Sequence, residues 1–212
     1  MIPDSAKGYS LVELLVAMSI FAVVTGLALS NFGAGRRNEE LRYAGQILDS
    51  SIRRAQTSAI AGATVAFCQE SGTGTAAGLC PGGQGDCHGG ETCVTDVPDA
   101  WGIHLSFSSA GARSIVMFAD LNGDYRYQPS ESVRSNSVSP GRNVVVSGLT
   151  PAVNSDLDIT FMPPKPTVRF NGLPFSAGDA APTLATVRLT NPTDNLTREV
   201  TVNRLSGQVS NQ

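Results

Sequence analysis

Two hydrophobic patterns follow one another at the start of the chain. From Tyr9 to Phe32 apolar and small residues occupy every side of a helical wheel, and Glu13 is the only charged residue. From 36 to 61 the apolar positions thin to a stripe: Leu41, Ala44, Ile47 or Leu48, Ile52, Ala55 and Ala59. Arg42, Gln46, Asp49, Arg53 and Arg54 fill the other face. The first pattern predicts a helix that meets apolar surroundings all round, the second an amphipathic helix packed on a domain. Together they predict one long N-terminal helix over 9–62, with 9–32 as a transmembrane segment. At about 1.5 Å per residue the apolar run reaches about 36 Å, enough for a hydrocarbon core of about 30 Å. Gly26, Gly33 and Gly35 each weaken a helix by about 1 kcal/mol relative to Ala. They either mark a bend or local melting between the two halves or are simply tolerated.

After residue 62 the period shortens and turn residues multiply. Candidate strands are Thr64–Cys68, Gly102–Phe107, Ser114–Ala119, Asn143–Ser147, Asp158–Phe161, Thr167–Phe170, Ala185–Leu189 and Glu199–Val202. In the last two, Ala185, Val187, Leu189, Val200 and Val202 share one face. No second long helix and no internal repeat is visible. The expected fold is α+β: a long helix packed on one antiparallel sheet of a β-rich head, 63–212.

Composition changes this picture little. A net charge of −3 over 212 residues gives no overall basic footprint for nucleic acid. Lys7 precedes the apolar run and Arg36 and Arg37 follow it, so the positive-inside rule leaves orientation open. An ordinary secretory signal cut after Ala28-Leu29-Ser30 fits poorly, because such signals have shorter apolar cores and no acid within them. Glu13 needs its own explanation, since a carboxylate at the centre of a spanning helix costs roughly 2.5–3.5 kcal/mol, and less near an end.

Lys7-Gly8 followed by Tyr9-Ser10-Leu11-Val12-Glu13-Leu14-Leu15 and an unbroken apolar run resembles the class III signal of type IV pilins and pseudopilins. The resemblance implies that a prepilin peptidase removes a leader, 1–8, after Gly8 and methylates the new amine of Tyr9. Glu13 would then be the fifth mature residue and face the Tyr9 amine of a neighbouring subunit in a filament. An ion pair in low dielectric is far stronger than in water, and an unpaired charge there is costly.

Four cysteines, Cys68, Cys80, Cys87 and Cys93, fall in one Gly-rich stretch. An even, clustered set in an exported chain reads as two disulfides, with three pairings open. The order of Cys68, a variable loop (69–93), Cys93, "WGIHLSF", "VMFADLNGDYRYQPSESVR" and the closing "REVTVNRLSGQVS" is similar to the GspH/FimT family of minor pilins and pseudopilins. By that resemblance Cys68 pairs with Cys93 and Cys80 with Cys87.

Other chemistry is thinner. Asp120, Asn122, Asp124 and Glu131 stand at the first, third, fifth and twelfth positions of an EF-hand-like loop, a weak calcium candidate. Tyr125 replaces the expected glycine, and a solvated hairpin bending at Asn122-Gly123 explains the same residues. Cys80, Cys87, His88 and Cys93 lack the common zinc spacings, so disulfides are preferred. His104 alternates with apolar residues and reads as a surface or packing residue. No nucleophile with an evident base, no phosphate loop and no cofactor motif is visible, so the chain reads as a peptidase substrate and not an enzyme. Some FimT-branch proteins bind DNA through a C-terminal Gly-Arg-x-Arg motif, but here the position reads Gly207-Gln208-Val209-Ser210. Arg188, Arg198 and Arg204 are dispersed, so nucleic acid is not expected as a partner. The reading is a structural subunit of a type IV pilus or type II secretion pseudopilus, near the tip or initiation complex. It would sit in the inner membrane with a periplasmic head, and its partners would be other pilins, the peptidase and an assembly platform. The alternative is a tip adhesin or DNA-uptake receptor.

Overall fold

Both N-terminal patterns lie on a single helix, α1, Leu11–Ile60, in a computed structural model of the chain. The structure describes residues 9–107, 115–133, 143–164, 167–173 and 182–211; the side chains of 29–34 are not among the features described. Gly8 and the rest of the leader lie outside these residues, as does Ser114 at the start of one expected strand. The helix is continuous through Gly26, Gly33 and Gly35, so tolerance and not melting describes these glycines.

The chain divides into two compact units, Met1–Glu39 and Glu40–Gln212. In the second, the amphipathic half of α1 buries the expected stripe. Leu41, Ala44, Leu48, Ile52, Ala55 and Ala59 are buried, and Leu48 rather than Ile47 occupies the shared turn. Gly45 on this half is a packing site: a Cβ there would lie 2.8 Å from Asn211 Nδ2 and 3.2 Å from Arg198 Cδ.

The head holds eleven described strands: β1 Val65–Glu70, β2 Ala76–Leu79, β3 Glu91–Asp96, β4 Ala100–Ser106, β5 Ile115–Asp120, β6 Val145–Thr150, β7 Asp156–Met162, β8 Thr167–Phe170, β9 Leu184–Asn191, β10 Leu196–Asn203 and β11 Val209–Asn211. They form three antiparallel sheets, ordered β2-β1-β3, β5-β4-β7-β8 and β11-β10-β9-β6. The 69–93 stretch is likewise not a bare loop, since it carries β2, a short 3-10 turn at Gln84–Asp86 and the start of β3.

Alternation decides which face of each large sheet is dry. Ile103, Leu105, Met117, Leu157, Ile159 and Phe161 of one, and Val187, Leu189, Val200 and Val202 of the other, join the α1 stripe in one core. Two four-stranded sheets thus share the helix that the sequence pattern allotted to one.

The opposite face of the β5-β4-β7-β8 sheet is also covered. Residues 121–133 leave β5, cross that face and return along its edge, where Ser132 bridges Phe118 and Val133 N donates to Met117 O at 3.0 Å. Phe118 lies across Gly102, where an added Cβ would run into the Phe118 ring. Tyr127 meets the Phe118 ring edge-on at 5.6 Å and stacks on His104 at 4.2 Å.

Candidate functional site

The N-terminal segment is built around a helix start. Ser10 caps α1: its carbonyl accepts Leu14 N at 3.1 Å and its Oγ accepts Val12 N at 3.3 Å. Ser10-Leu11-Val12-Glu13 is the S-x-x-E arrangement that begins many helices, and it puts Glu13 in the first turn. There a carboxylate is favoured by the N–H groups of the first turn that have no intrahelical partner and by the positive end of the helix dipole. The acid that looked anomalous in an apolar run therefore sits at the one end of the run that welcomes it.

Beyond the cap the helix is apolar and uncovered. None of Leu11–Ala28 is buried, and the span is long and apolar enough to cross a membrane. Leu11 is 77% exposed, Phe21 70% and Leu27 66%. Fully burying one such side chain is worth about 1.5–3 kcal/mol. A ring of them all round the helix requires lipid or other apolar helices as its surroundings.

The cysteine stretch forms two disulfides, Cys68–Cys87 and Cys80–Cys93. This differs from the pairing implied by the family resemblance. Cys68 and Cys93 stand directly opposite in the β1–β3 ladder, which already holds their strands together. Each is bridged instead to a cysteine of the segment between them, which ties that segment to the sheet. Gln84 assists: its Nε2 donates to Glu91 O and its Oε1 accepts Cys93 N, both at 2.8 Å. The zinc set considered from sequence does not assemble, because its cysteines are oxidised and the His88 side chain is 93% exposed beside Glu91.

Residues 120–131 use their carboxylates on the backbone. Asp120 accepts the N–H groups of Asn122, Gly123 and Tyr125, at 3.3, 2.9 and 3.0 Å. Glu131 accepts Leu121 N at 3.0 Å and Gln128 N at 3.2 Å. Asp124 accepts Arg126 N at 2.8 Å and the Gln128 amide at 2.9 Å. Tyr125 takes the left-handed conformation, φ 59°, that a glycine would supply, and Gly123 at φ 75° makes the expected bend. Among the described residues, the acids of this segment do not draw together as a set of cation ligands. Asp120 and Glu131 are buried. Burial raises both carboxyl groups above their ordinary values, and Glu131 reaches about 7.

His104 packs, as expected, and also makes a hydrogen bond that its sequence position did not reveal. Its Nδ1 lies 2.7 Å from Asp158 Oδ1, and Asp158 Oδ2 accepts Tyr127 N at 3.3 Å. The C-terminal arginines are engaged separately. Arg188 bonds Glu199, Arg198 bonds Asn211, and buried Arg204 donates to Leu173 O.

An apolar, capped helix with an acid in its first turn, followed by an amphipathic half on antiparallel sheets, defines the α+β arrangement of pilin-like proteins. Residues 4–29 match the model of the family described as the prokaryotic N-terminal methylation motif. The chain thus carries a prepilin-type motif, which marks structural subunits of the pilin and pseudopilin kind and their processing by prepilin peptidase. No curated protein and no solved structure matches the chain.

Proposed function

We propose that this chain is a minor pilin or pseudopilin of the GspH/FimT kind, built into a type IV pilus or a type II secretion pseudopilus near its tip. Prepilin peptidase cuts between Gly8 and Tyr9 and methylates the Tyr9 amine. The helix then holds the subunit in the inner membrane, head on the periplasmic side, until the assembly platform passes it into a filament. The observation that carries this reading is the N-terminal half of α1. It matches the methylation motif, is apolar on every side and uncovered, and keeps its one acid at the capped end.

Filament entry transfers that apolar surface from lipid to the helices of neighbouring subunits. The transfer is nearly neutral in apolar burial, so axial register needs a polar determinant. Glu13 facing the methylated Tyr9 amine of an adjoining subunit supplies it, because a register slip leaves two charges unpaired in low dielectric.

Intact mass of the membrane-extracted protein tests the first step. The expected mass lacks residues 1–8, gains one methyl group and lacks four cysteine hydrogens. Full-length mass in cells that contain active peptidase overturns the reading. Glu13→Gln tests the second step: the variant is cut but enters filaments poorly, and normal incorporation rules out the ion-pair account.

A further inference from the structure

Beneath the segment that crosses the outer face of the β5-β4-β7-β8 sheet lies a cavity of about 340 Å3. Its floor is a network in which polar groups bind one another. His104 Nδ1 lies 2.7 Å from Asp158 Oδ1, Asp158 Oδ2 accepts Tyr127 N at 3.3 Å, and Asp158 N donates to Asn171 Oδ1 at 2.8 Å. Asn171 Nδ2 donates in turn to Pro151 O at 3.2 Å. The Tyr127 ring, stacked on His104 and edge-on to Phe118, is fixed as one wall. A tight hairpin makes another. There Val153 and Asp156 exchange two backbone bonds of 2.9 Å across Asn154 and Ser155, which both have positive φ.

The other lining groups are of a different kind. Arg126 donates its Nε to Asn171 O at 3.3 Å, which ties the guanidinium to the site. Among the described residues its terminal nitrogens, the Asp156 carboxylate, the Asn154 amide and His104 Nε2 have no hydrogen-bond partner in the protein. Nor is His104 Nε2 sealed away, unlike Thr160 Oγ1. With Nδ1 turned to a carboxylate, a neutral His104 presents Nε2 as an acceptor. The acids of 120–131, by contrast, are spent on backbone N–H groups. An apolar ligand would leave the free groups of the cavity unpaired. A strongly charged one is not favoured, because Arg126 stands with Asp156 and Asp158. An uncharged ring with adjacent hydroxyls meets both conditions. Its hydroxyls donate to Asp156, Asn154 Oδ1 or His104 Nε2 and accept from Arg126 or Asn154 Nδ2, while its C–H groups meet the Tyr127 ring. The volume is at the small end of ligand cavities, about 300–1,000 Å3, which suits one ring and not a long chain.

We propose that this cavity binds one neutral pyranose ring through His104, Arg126, Asn154 and Asp156, with Tyr127 as its apolar wall. Asp158 and Asn171 are positioning residues: they fix His104 and Arg126 and do not touch the sugar. Because that network is already in place, little side-chain ordering is left to oppose binding. The site lies wholly in the unit Glu40–Gln212, so it does not rest on the fate of the N-terminal helix.

The test uses the full chain in micelles of a detergent without a sugar headgroup. The probes are the methyl glycosides of glucose, galactose, mannose and N-acetylglucosamine. Saturation-transfer NMR is expected to show contact with at least one of them, with a Kd on the order of 1 mM, usual for a ligand of about a dozen non-hydrogen atoms. Asp156→Ala and Arg126→Ala should each weaken that sugar about tenfold or more, the loss of one or two hydrogen bonds, with a melting temperature close to that of the wild type. Should one variant melt early, the other decides. His88→Ala, in the neighbouring cavity, should change nothing. Glucuronate, a similar ring with a carboxylate, should bind more weakly than the best neutral probe. Absence of transfer to all four glycosides at tens of millimolar overturns the proposal. So does undiminished binding in a variant that melts normally, and so does tighter binding of glucuronate, which would mark an anion site on Arg126.

Discussion

Gly102 and Glu131 show how single residues set the face of the β5-β4-β7-β8 sheet that lies away from the helix. Gly102 leaves room for the Phe118 ring, and a methyl group there would also come within 2.9 Å of Thr160 Cγ2. Both obstacles are buried, so neither side chain can swing into solvent. Gly102→Ala is expected to lower head stability by about 1–3 kcal/mol, the usual cost of overpacking, in urea denaturation. Glu131 gives the head a pH dependence. Below its ordinary value of 4.5 the group is protonated in both folded and unfolded chains. Between 4.5 and about 7 the folded chain binds the extra proton, so stability falls as pH rises through that window and levels off above it. Asp120 acts in the same direction. The melting temperature should therefore be lower at pH 8 than at pH 5. Glu131→Gln should flatten the slope, since an amide has no proton to lose across that window.

Among the elements, α1 was the most legible. Its stripe could be read because burial on a helix recurs every three or four residues, and only the choice between Ile47 and Leu48 was open. The structure chooses Leu48, fully buried, with Ile47 partly so. Leu48→Ala is expected to cost about 2–5 kcal/mol and Ile47→Ala clearly less, measured by thermal melts of the head. The strands were legible where apolar residues alternate, as in β9 and β10. Three escaped. Ala76–Leu79 has no β-branched residue, Glu91–Asp96 is masked by the polar residues around it, and Val209–Asn211 is too short to show a period. The number of sheets was illegible for a different reason: a period of two shows which residues share a face, but not which strands share a sheet. The disulfide pairing was hidden similarly, because it depends on the β1–β3 register. The cap at Ser10 was the missed signal at the N-terminal site, since S-x-x-E stood in the sequence and explains why an acid is tolerated there.

At the scale of the whole molecule, the division at Glu39 and Glu40 separates two solvent requirements. Every buried residue of the core cluster lies at or beyond Leu41. A fragment of residues 40–212 is therefore expected to be monomeric without detergent. It should melt within about 4 °C of the full chain in micelles, a difference worth roughly 1 kcal/mol in a domain of this size. Aggregation of the fragment in gel filtration, or a large fall in its melting temperature, would show that the apolar half supports the head after all.

The side-chain amide of Gln84 has a consequence for this molecule as a polymer subunit. Among the described residues β3 borders its sheet and pairs with β1 alone. The outer rim of such a strand is a template on which a stranger's backbone can add, and repeated addition ends in cross-β fibre. By satisfying Glu91 O and Cys93 N, Gln84 occupies the rungs that an incoming chain would use first. A protein proposed to polymerise through its helix is thereby guarded against polymerising through its sheet. Gln84→Ala should unplug that rim, with a rise in light scattering and thioflavin fluorescence of the concentrated protein and no early change in its melting temperature.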